Sequence, residues 1–335
     1  MAAGEVRSGA SKEDAMINLP RVVALLAFAS ALASAQPVVP PQAIEQFESV
    51  IGDRVEAVTI LGGDYGAAGG IYTFRSGDVA NLSLAKFGGG GNIAEPRPLG
   101  ESGLKWAPVL QGNLGHISAI NEFRTGYLQG NESVYDVLAV QGGGGARFYF
   151  MDQLSLAPTI SGIYGRTENE FKPRNPIGDA VKAAAAGTFV DWTLETWSVV
   201  PSLDLRYEWR WQRAAFEFSS RYNFFHTESF DSSSPVVGVN GDSHTWQNKL
   251  DVDVPLGWKV FGRELHTGGF FARSELFGGA AEGLNADHVN TVNGRFVVDL
   301  LGEVWMVRWL GVGVSYLFGD DFDGWTAGVD MRFRF

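Results

Sequence analysis

Histidine, serine and carboxylates recur between residues 226 and 253, and their spacing decides whether they can act together. On a strand, side chains two apart share a face, so a histidine and a serine at that spacing can form a hydrolytic pair. His226 and Ser229 in "FHTESF" are three apart and face opposite sides, and no asparagine follows the serine. A polar strand end is the reading they support. Asp242 and His244 in "GDSHTW" do share a face, as a water-activating pair would need, but Asp251 and Asp253 lie 7–11 residues further along. At ~3.3 Å per residue that is too far for concerted acid–base work.

Two glycine runs, "FGGGGN" (87–92) and "QGGGGARF" (141–148), invite a phosphate-loop reading. Such a loop needs a following helix and commonly a Lys-Ser/Thr pair. Here "ARFYF" continues a strand instead, so glycines 142–145 are better suited to leaving space on a strand face or permitting a bend. "GDDFDG" (319–324) gathers three aspartates at a turn without the twelve-residue calcium-loop pattern, which favours a solvated turn. Cysteine is absent, which removes thiolate zinc sites and disulfides. No cofactor, metal site or catalytic residue follows from these spacings, and the chain is read as a non-enzyme.

The elements that must carry these residues are long strands. In "LETWSVVPSLDLRYEWRW" the odd positions Trp197, Val199, Pro201, Leu203, Leu205, Tyr207, Trp209 and Trp211 alternate with mostly polar even ones. Period two over fifteen residues far exceeds an ordinary strand of ~5–6. The apolar face ends in aromatics at both extremities, where a bilayer has its interfaces. Phe216, Phe218, Tyr222 and Phe224 alternate with Glu217, Ser219, Arg221 and Asn223, and Leu250, Val252 and Val254 with Lys249, Asp251 and Asp253. In lipid this pattern means grease outside and a polar, charge-paired lumen inside. The chain ends the same way: Trp325, Ala327, Val329, Met331, Phe333 and Phe335 on the lipid side, with the intervening charges inward.

The fold expected is therefore all-β: a closed antiparallel transmembrane β-barrel of about twelve strands. These are placed near 68–75, 78–87, 104–122, 134–150, 154–170, 194–211, 213–226, 244–255, 264–276, 290–301, 305–317 and 325–335. Connections alternate between tight (151–153, 212, 302–304) and long (171–193, 227–243, 277–289), with 88–103 as an exception on the tight side. The charges expected to face the lumen are Asp204, Arg206, Glu208, Arg210, Glu217, Arg221, Lys249, Asp251, Asp253, Arg273, Glu275, Arg295, Asp299, Asp330, Arg332 and Arg334. Both signs are present, so they read as wall-bracing pairs or as a selectivity ladder without strong ion preference.

At the N-terminus, "MINLPRVVALLAFASALASAQ" begins at Met16, carries Arg21, runs apolar to about Leu32 and ends in Ala33, Ser34 and Ala35. That is a signal-peptide pattern, with residues 1–35 as extension and signal, a start at Met16 and cleavage before Gln36. Residues 36–62 follow as an N-terminal segment, and 63–335 as the barrel. Ile44, Phe47, Ile51, Val55 and Val58 fall at helical intervals, which suggests a helix lying in the lumen. A helix to Ile51 followed by a strand from Arg54 to Leu61 is the other reading. The formal charge of −12 argues against nucleic acid as a partner.

A signal peptide, a short helix, about twelve long strands and a terminal phenylalanine together resemble an autotransporter translocator barrel. The stretches "FESVIGDRVEAVTILGGDYGAAGGIYTF" and "GVSYLFGDDFDGWTAGVDMRFRF" resemble the solitary outer-membrane autotransporter-like barrel family in particular. The resemblance implies the outer membrane of a diderm (Gram-negative) bacterium, outer-membrane lipids as surroundings, and recognition of the terminal strand by the barrel-assembly machinery. Almost no chain separates Gln36 from the helix, so the expectation is a barrel without a passenger, structural or channel-like in role. A small-solute porin, of unknown solute, is the alternative. A barrel lipid hydrolase or protease is disfavoured by the spacings above.

Overall fold

The period-two stretches form strands of 11 to 21 residues, long enough to cross a bilayer at a tilt. The computed structural model describes residues 55, 57, 79–123, 128–284, 286–299, 307–319 and 323–333. Its strands are β1 Val79–Asn92, β2 Arg97–Pro98, β3 Lys105–Glu122, β4 Glu132–Tyr149, β5 Leu154–Lys172, β6 Thr193–Trp211, β7 Ala214–Ser232, β8 Asn240–Val260, β9 Arg263–Gly278, β10 His288–Asp299, β11 Val307–Phe318 and β12 Asp323–Phe333. Two short helices, α1 Pro176–Ala185 and α2 Gly279–Leu284, interrupt the connections.

All twelve strands belong to one antiparallel sheet. Its order runs strictly along the chain from β1 through β3 to β12, while the two-residue β2 pairs only with β3. β1 and β12 approach within 8 Å between Cα atoms, with no ladder between them among the described residues. The strand expected at 68–75 lies outside the described residues, as does the 302–304 turn, so the sheet reaches twelve through β2 instead. Among the described residues, no helix is long and apolar enough to cross a membrane.

One end of the sheet, the turn end, carries the tight connections 150–153, Gln212 with Arg213, and Phe261 with Gly262. Phe261 and Gly262 both have positive φ (52° and 79°), as a two-residue hairpin matched to the strand twist requires. This turn replaces the broader gap expected at 256–263. The opposite, loop end carries 123–131, 173–192, 233–239 and 279–287. The exception on the turn end persists but is shorter, 93–104, because the first glycine run is strand. Glycines 88–91 pair with residues 110–113 of β3. Their backbone N–H and C=O groups complete a ladder as well as any residue's.

The distribution of polarity is the inverse of a water-soluble protein. Leu110, Leu138, Ile160, Leu203, Leu205 and Val312 are exposed on the outer face. Gln111, Asn113, Gln141, Ser161, Asn223 and Thr245 are buried on the inner one. On β6 the alternation runs from Leu194 to Leu205, with even residues buried inward and odd ones outward, of which Glu195 and Val199 are half-buried. Apolar surface turned outward and amides turned inward are stable together only where lipid, not water, surrounds the sheet.

Candidate functional site: the lumen

Two glycines shape the inner wall, each by the same device. Gln111 on β3, Gly143 on β4 and Ser161 on β5 lie in one cross-strand row. Because Gly143 has no side chain, the Gln111 amide passes over it and donates to the Ser161 hydroxyl. A Cβ at Gly143 would run into Ser161. On the other side, Gly268 on β9 stands between Arg295 of β10 and Asp253 of β8. There the Arg295 guanidinium crosses β9 and grips Asp251 in a fork, at 2.9 and 2.6 Å. Arg221 on β7 donates to Asn223 Oδ1 at 3.0 Å and to Gln111 Oε1 at 3.2 Å, tying together walls four strands apart.

Toward the turn end the lumen is ionic. Asp204 is buried and accepts from Arg147 at 2.8 Å and Arg206 at 2.9 Å, while Arg147 also donates to Ser155 at 3.1 Å. Lys249 lies 3.3 Å from Asp251 and over the Phe270 ring. His266 contacts Asp253 at 2.6 Å. Arg147, Asp204, Asp251 and Arg295 are all more than nine-tenths buried. Charges in such surroundings persist because each has an opposite charge and further hydrogen bonds.

Toward the loop end the lumen is apolar and roofed. The 279–287 connection folds inward. Ala280 packs against Ala139, Ile163, Val200 and Phe225 on β4 to β7, and its N–H donates to Ser243 Oγ at 2.9 Å. Six residues later Ala286 packs against Leu82, Leu84, Ile117 and Val137 on β1, β3 and β4. One connection thus reaches strands from β1 to β7. Val55 and Ala57 have helical backbone and are buried. Val55 packs against Trp192, Leu194, Val237 and Val239 at this same end. Outside the roof, α1 starts at Asn175, whose side chain accepts from Gly178 N–H. It rests on Leu128, Phe171 and Val190.

Of the charges expected in the lumen, Asp204, Arg206, Glu208, Arg210, Glu217, Arg221, Lys249, Asp251, Asp253 and Arg295 stand on the inner face by register. Arg273 and Glu275 are a correction. On β9 the residues opposite inward-facing Lys249 and Asp251 are Ala272 and Phe270, which turns the odd residues outward. Arg273 and Glu275 pair with each other on the outer face at 2.5 Å. Trp325, Ala327 and Val329 are exposed outward. The side chains of Asp299, Asp330, Met331, Arg332 and Phe333, and all of Arg334 and Phe335, lie outside the described residues. Arg147 and the roof formed by Ala280 and Ala286 escaped the sequence reading. Parity with the inward Gly143 and Gly145 was the signal for Arg147.

The candidate hydrolytic residues remain apart. His226 is turned outward, held by Asp242 at 2.8 Å and Glu228 at 3.3 Å, while Ser229 turns inward and bonds the Val239 carbonyl. Asp242 and His244 are outward, whereas Asp251 and Asp253 are inward. Among the described residues, no group of three or more His, Cys, Asp or Glu could hold a metal.

A one-sheet wall of long antiparallel strands, greasy outside and polar within, defines an outer-membrane type of β-barrel domain. Residues 97–327 match the family model of the solitary outer membrane autotransporter beta-barrel domain, and the chain belongs to that family. Among solved structures, the β domain of the Bordetella autotransporter BrkA is similar over 79% of this chain and 99% of its own, with 14% identity and a TM-score of 0.49. The transport unit of AIDA-I from Escherichia coli is similar over 79% of this chain and 87% of its own (10% identity, TM-score 0.48). The translocator domain of NalP from Neisseria meningitidis is similar over 85% and 94% (15% identity, TM-score 0.40). No curated protein sequence matches the chain. Membership places the protein in the outer membrane of Gram-negative bacteria.

Proposed function

We propose that the protein is a closed barrel with an occluded lumen, structural in the resting state and channel-like only when the roof is displaced. In this reading the seam between β1 and β12 is completed by chain preceding β1. Residues 36–62 contain a helix that lies inside the lumen, and the loop end faces the cell exterior. The carrying observation is the 279–287 connection, whose Ala280 packs on β4 to β7 and whose Ala286 packs on β1, β3 and β4. The helical, buried Val55 beside Trp192 and Leu194 supports a luminal helix reaching the same level. The Arg221–Gln111 bond narrows the passage further down.

Planar-bilayer conductance tests this. The intact protein is expected to conduct weakly. Removing 36–52, or replacing 279–287 by a short glycine-serine turn, should each raise conductance, and both together should raise it most. A large steady conductance from the intact chain would favour the small-solute porin instead, a reading that the mixed-sign polar wall also supports. Conductance unchanged by either deletion would end the plug reading. Catalysis is not proposed, because both ring nitrogens of His226 are engaged by carboxylates, Asp242 and Glu228.

A further inference from the structure

Whole strands of the wall turn only apolar or aromatic residues outward. On β6 this holds from Trp197 to Trp211, and on β11 from Leu310 to Phe318. One cross-strand row between them departs from the rule. Ser220 on β7, Asn248 on β8, Arg273 on β9 and Asn290 on β10 stand opposite one another in register, all on the outer face. Ser220 lies inside the apolar layer, between the exposed Phe218 and Tyr222, and Asn248 lies between the exposed Leu250 and Trp246. Arg273 stands with Glu275 at the loop-side margin of that layer, above Phe271.

The groups around Asn248 are engaged with one another. The Trp246 indole donates to Ser220 Oγ at 3.0 Å, the Tyr222 hydroxyl meets His244, and Arg273 holds Glu275 at 2.5 Å. The half-buried Asn248 side-chain amide has no hydrogen-bond partner among the described residues. It carries two donors and an acceptor. Acyl chains can meet none of them, and an amide left unmet in hydrocarbon is costly.

We propose that the outer face of β7 to β10 docks a second copy of this chain, as a two-fold dimer whose axis runs along the membrane normal beside Asn248. Such an axis keeps every residue at its own depth, so the Asn248 amide meets its own counterpart. An amide is self-complementary, and each of the two both donates to and accepts from the other. A different protein would need a matching polar group at the same depth, which a second copy has by construction. The surrounding Leu250, Trp246 and Phe271 pack around the amides and keep water from competing for them. Between apolar surfaces in lipid, hydrogen bonds and close packing are what select a partner. At the margin Arg273 and Glu275 neutralise each other within one chain, so this pair adds no like-charge repulsion between copies.

The test counts copies of full-chain protein, labelled once per chain and reconstituted in lipid vesicles, by single-molecule photobleaching. Two-step bleaching is expected. Asn248→Leu should weaken association about three- to tenfold, the scale of one or two hydrogen bonds between protein surfaces in a bilayer. The chain has no cysteine, so a single introduced one reports proximity. Leu250→Cys keeps Asn248 in place, one outward step along β8, and oxidation in isolated membranes should join it into a disulfide-linked dimer. Ile160→Cys, also exposed on the outer face but on β5, should stay unlinked. Heat-modifiability on gels confirms that each variant is folded. If Asn248→Leu does not fold, the copy number and the contrast between positions 250 and 160 decide with Asn248 intact. Single-step bleaching at every protein-to-lipid ratio overturns the proposal. So does association undiminished by Asn248→Leu, or equal cross-linking through the two cysteines, which would mark random collision. A freely conducting lumen leaves the dimer standing, because only the outer face carries it.

Discussion

The two ends of one lumen are held by different physics. Toward the turns, Arg147, Asp204, Asp251 and Arg295 form forked and shared ion pairs in near-complete burial. Toward the loops, Ala139, Ile163, Val200 and Phe225 receive Ala280 by apolar contact, with a single neutral hydrogen bond from its N–H to Ser243 Oγ. The ionic end is directional and fails abruptly when one partner is lost, because the other charge is then stranded. The apolar end has no such directionality. Its attraction scales with the area buried, and a small residue can leave and return without breaking a strong bond. Under the function proposed above, that contrast gives rigidity to one end and leaves opening to the other.

The comparison breaks most decisively at Asp251. Asp251→Ala strands the Arg295 guanidinium, which is only 3% exposed, and should destabilise the folded barrel by about 3–5 kcal/mol. Urea unfolding in lipid vesicles reads this as a lower midpoint. A midpoint unchanged within error would mean that the fork contributes no net rigidity. A smaller effect is expected at Gly143, where valine would displace Ser161 and cut the Gln111 bond, costing about 1–3 kcal/mol. Gly142→Val is the control, since its Cβ would point outward into open space. Equal costs at the two positions would show that backbone strain, not the bridging row, is what the substitution disturbs. The least effect on the unfolding midpoint is expected from deleting Phe335, which belongs to neither end of the lumen. We propose that it acts in assembly. The amount of heat-modifiable protein in the outer membrane should fall while the midpoint of what does fold stays nearly constant. Undiminished amounts would remove the terminal residue from any role in recognition.

The faces of β6, β7 and β8 were legible because period two is a strong pattern when every outward residue is large and apolar. Arg273 and Glu275 were misplaced for a physical reason. Phe270 and Phe271 are adjacent, so parity on β9 has no apolar-polar alternation to fix it, and only pairing with Asp251 resolves it. Near the loop end, moreover, outward charges have left the apolar layer and carry no penalty that would mark them. The glycine runs hid their strand character because a residue without a side chain leaves no hydrophobic period. They also hid Arg147, whose inward direction is set by Gly143 and Gly145 before it. Helical spacing around Val55 was readable, but not its neighbours Trp192 and Val237, which come from loops far along the chain. The roof was illegible altogether. A six-residue helix with Leu284 as its one large apolar side chain gives no amphipathic signal, and the partners of Ala280 and Ala286 come from six different strands.

The strand order has a kinetic consequence. Each long strand pairs only with its nearest long neighbours along the chain, so nearly every ladder closes a small loop and can zip as a hairpin at modest entropic cost. In the closed barrel proposed above, the one meeting that cannot be local is that of the first edge, at or before β1, with β12, separated by the rest of the domain. The search problem of folding is thereby concentrated into a single late event at the edges. Until it occurs, two rows of unpaired backbone groups face the bilayer interior, where unmet amides cost most. The rate of appearance of mature barrel should therefore follow the chance of those two edges meeting, and respond little to faster or slower hairpins elsewhere.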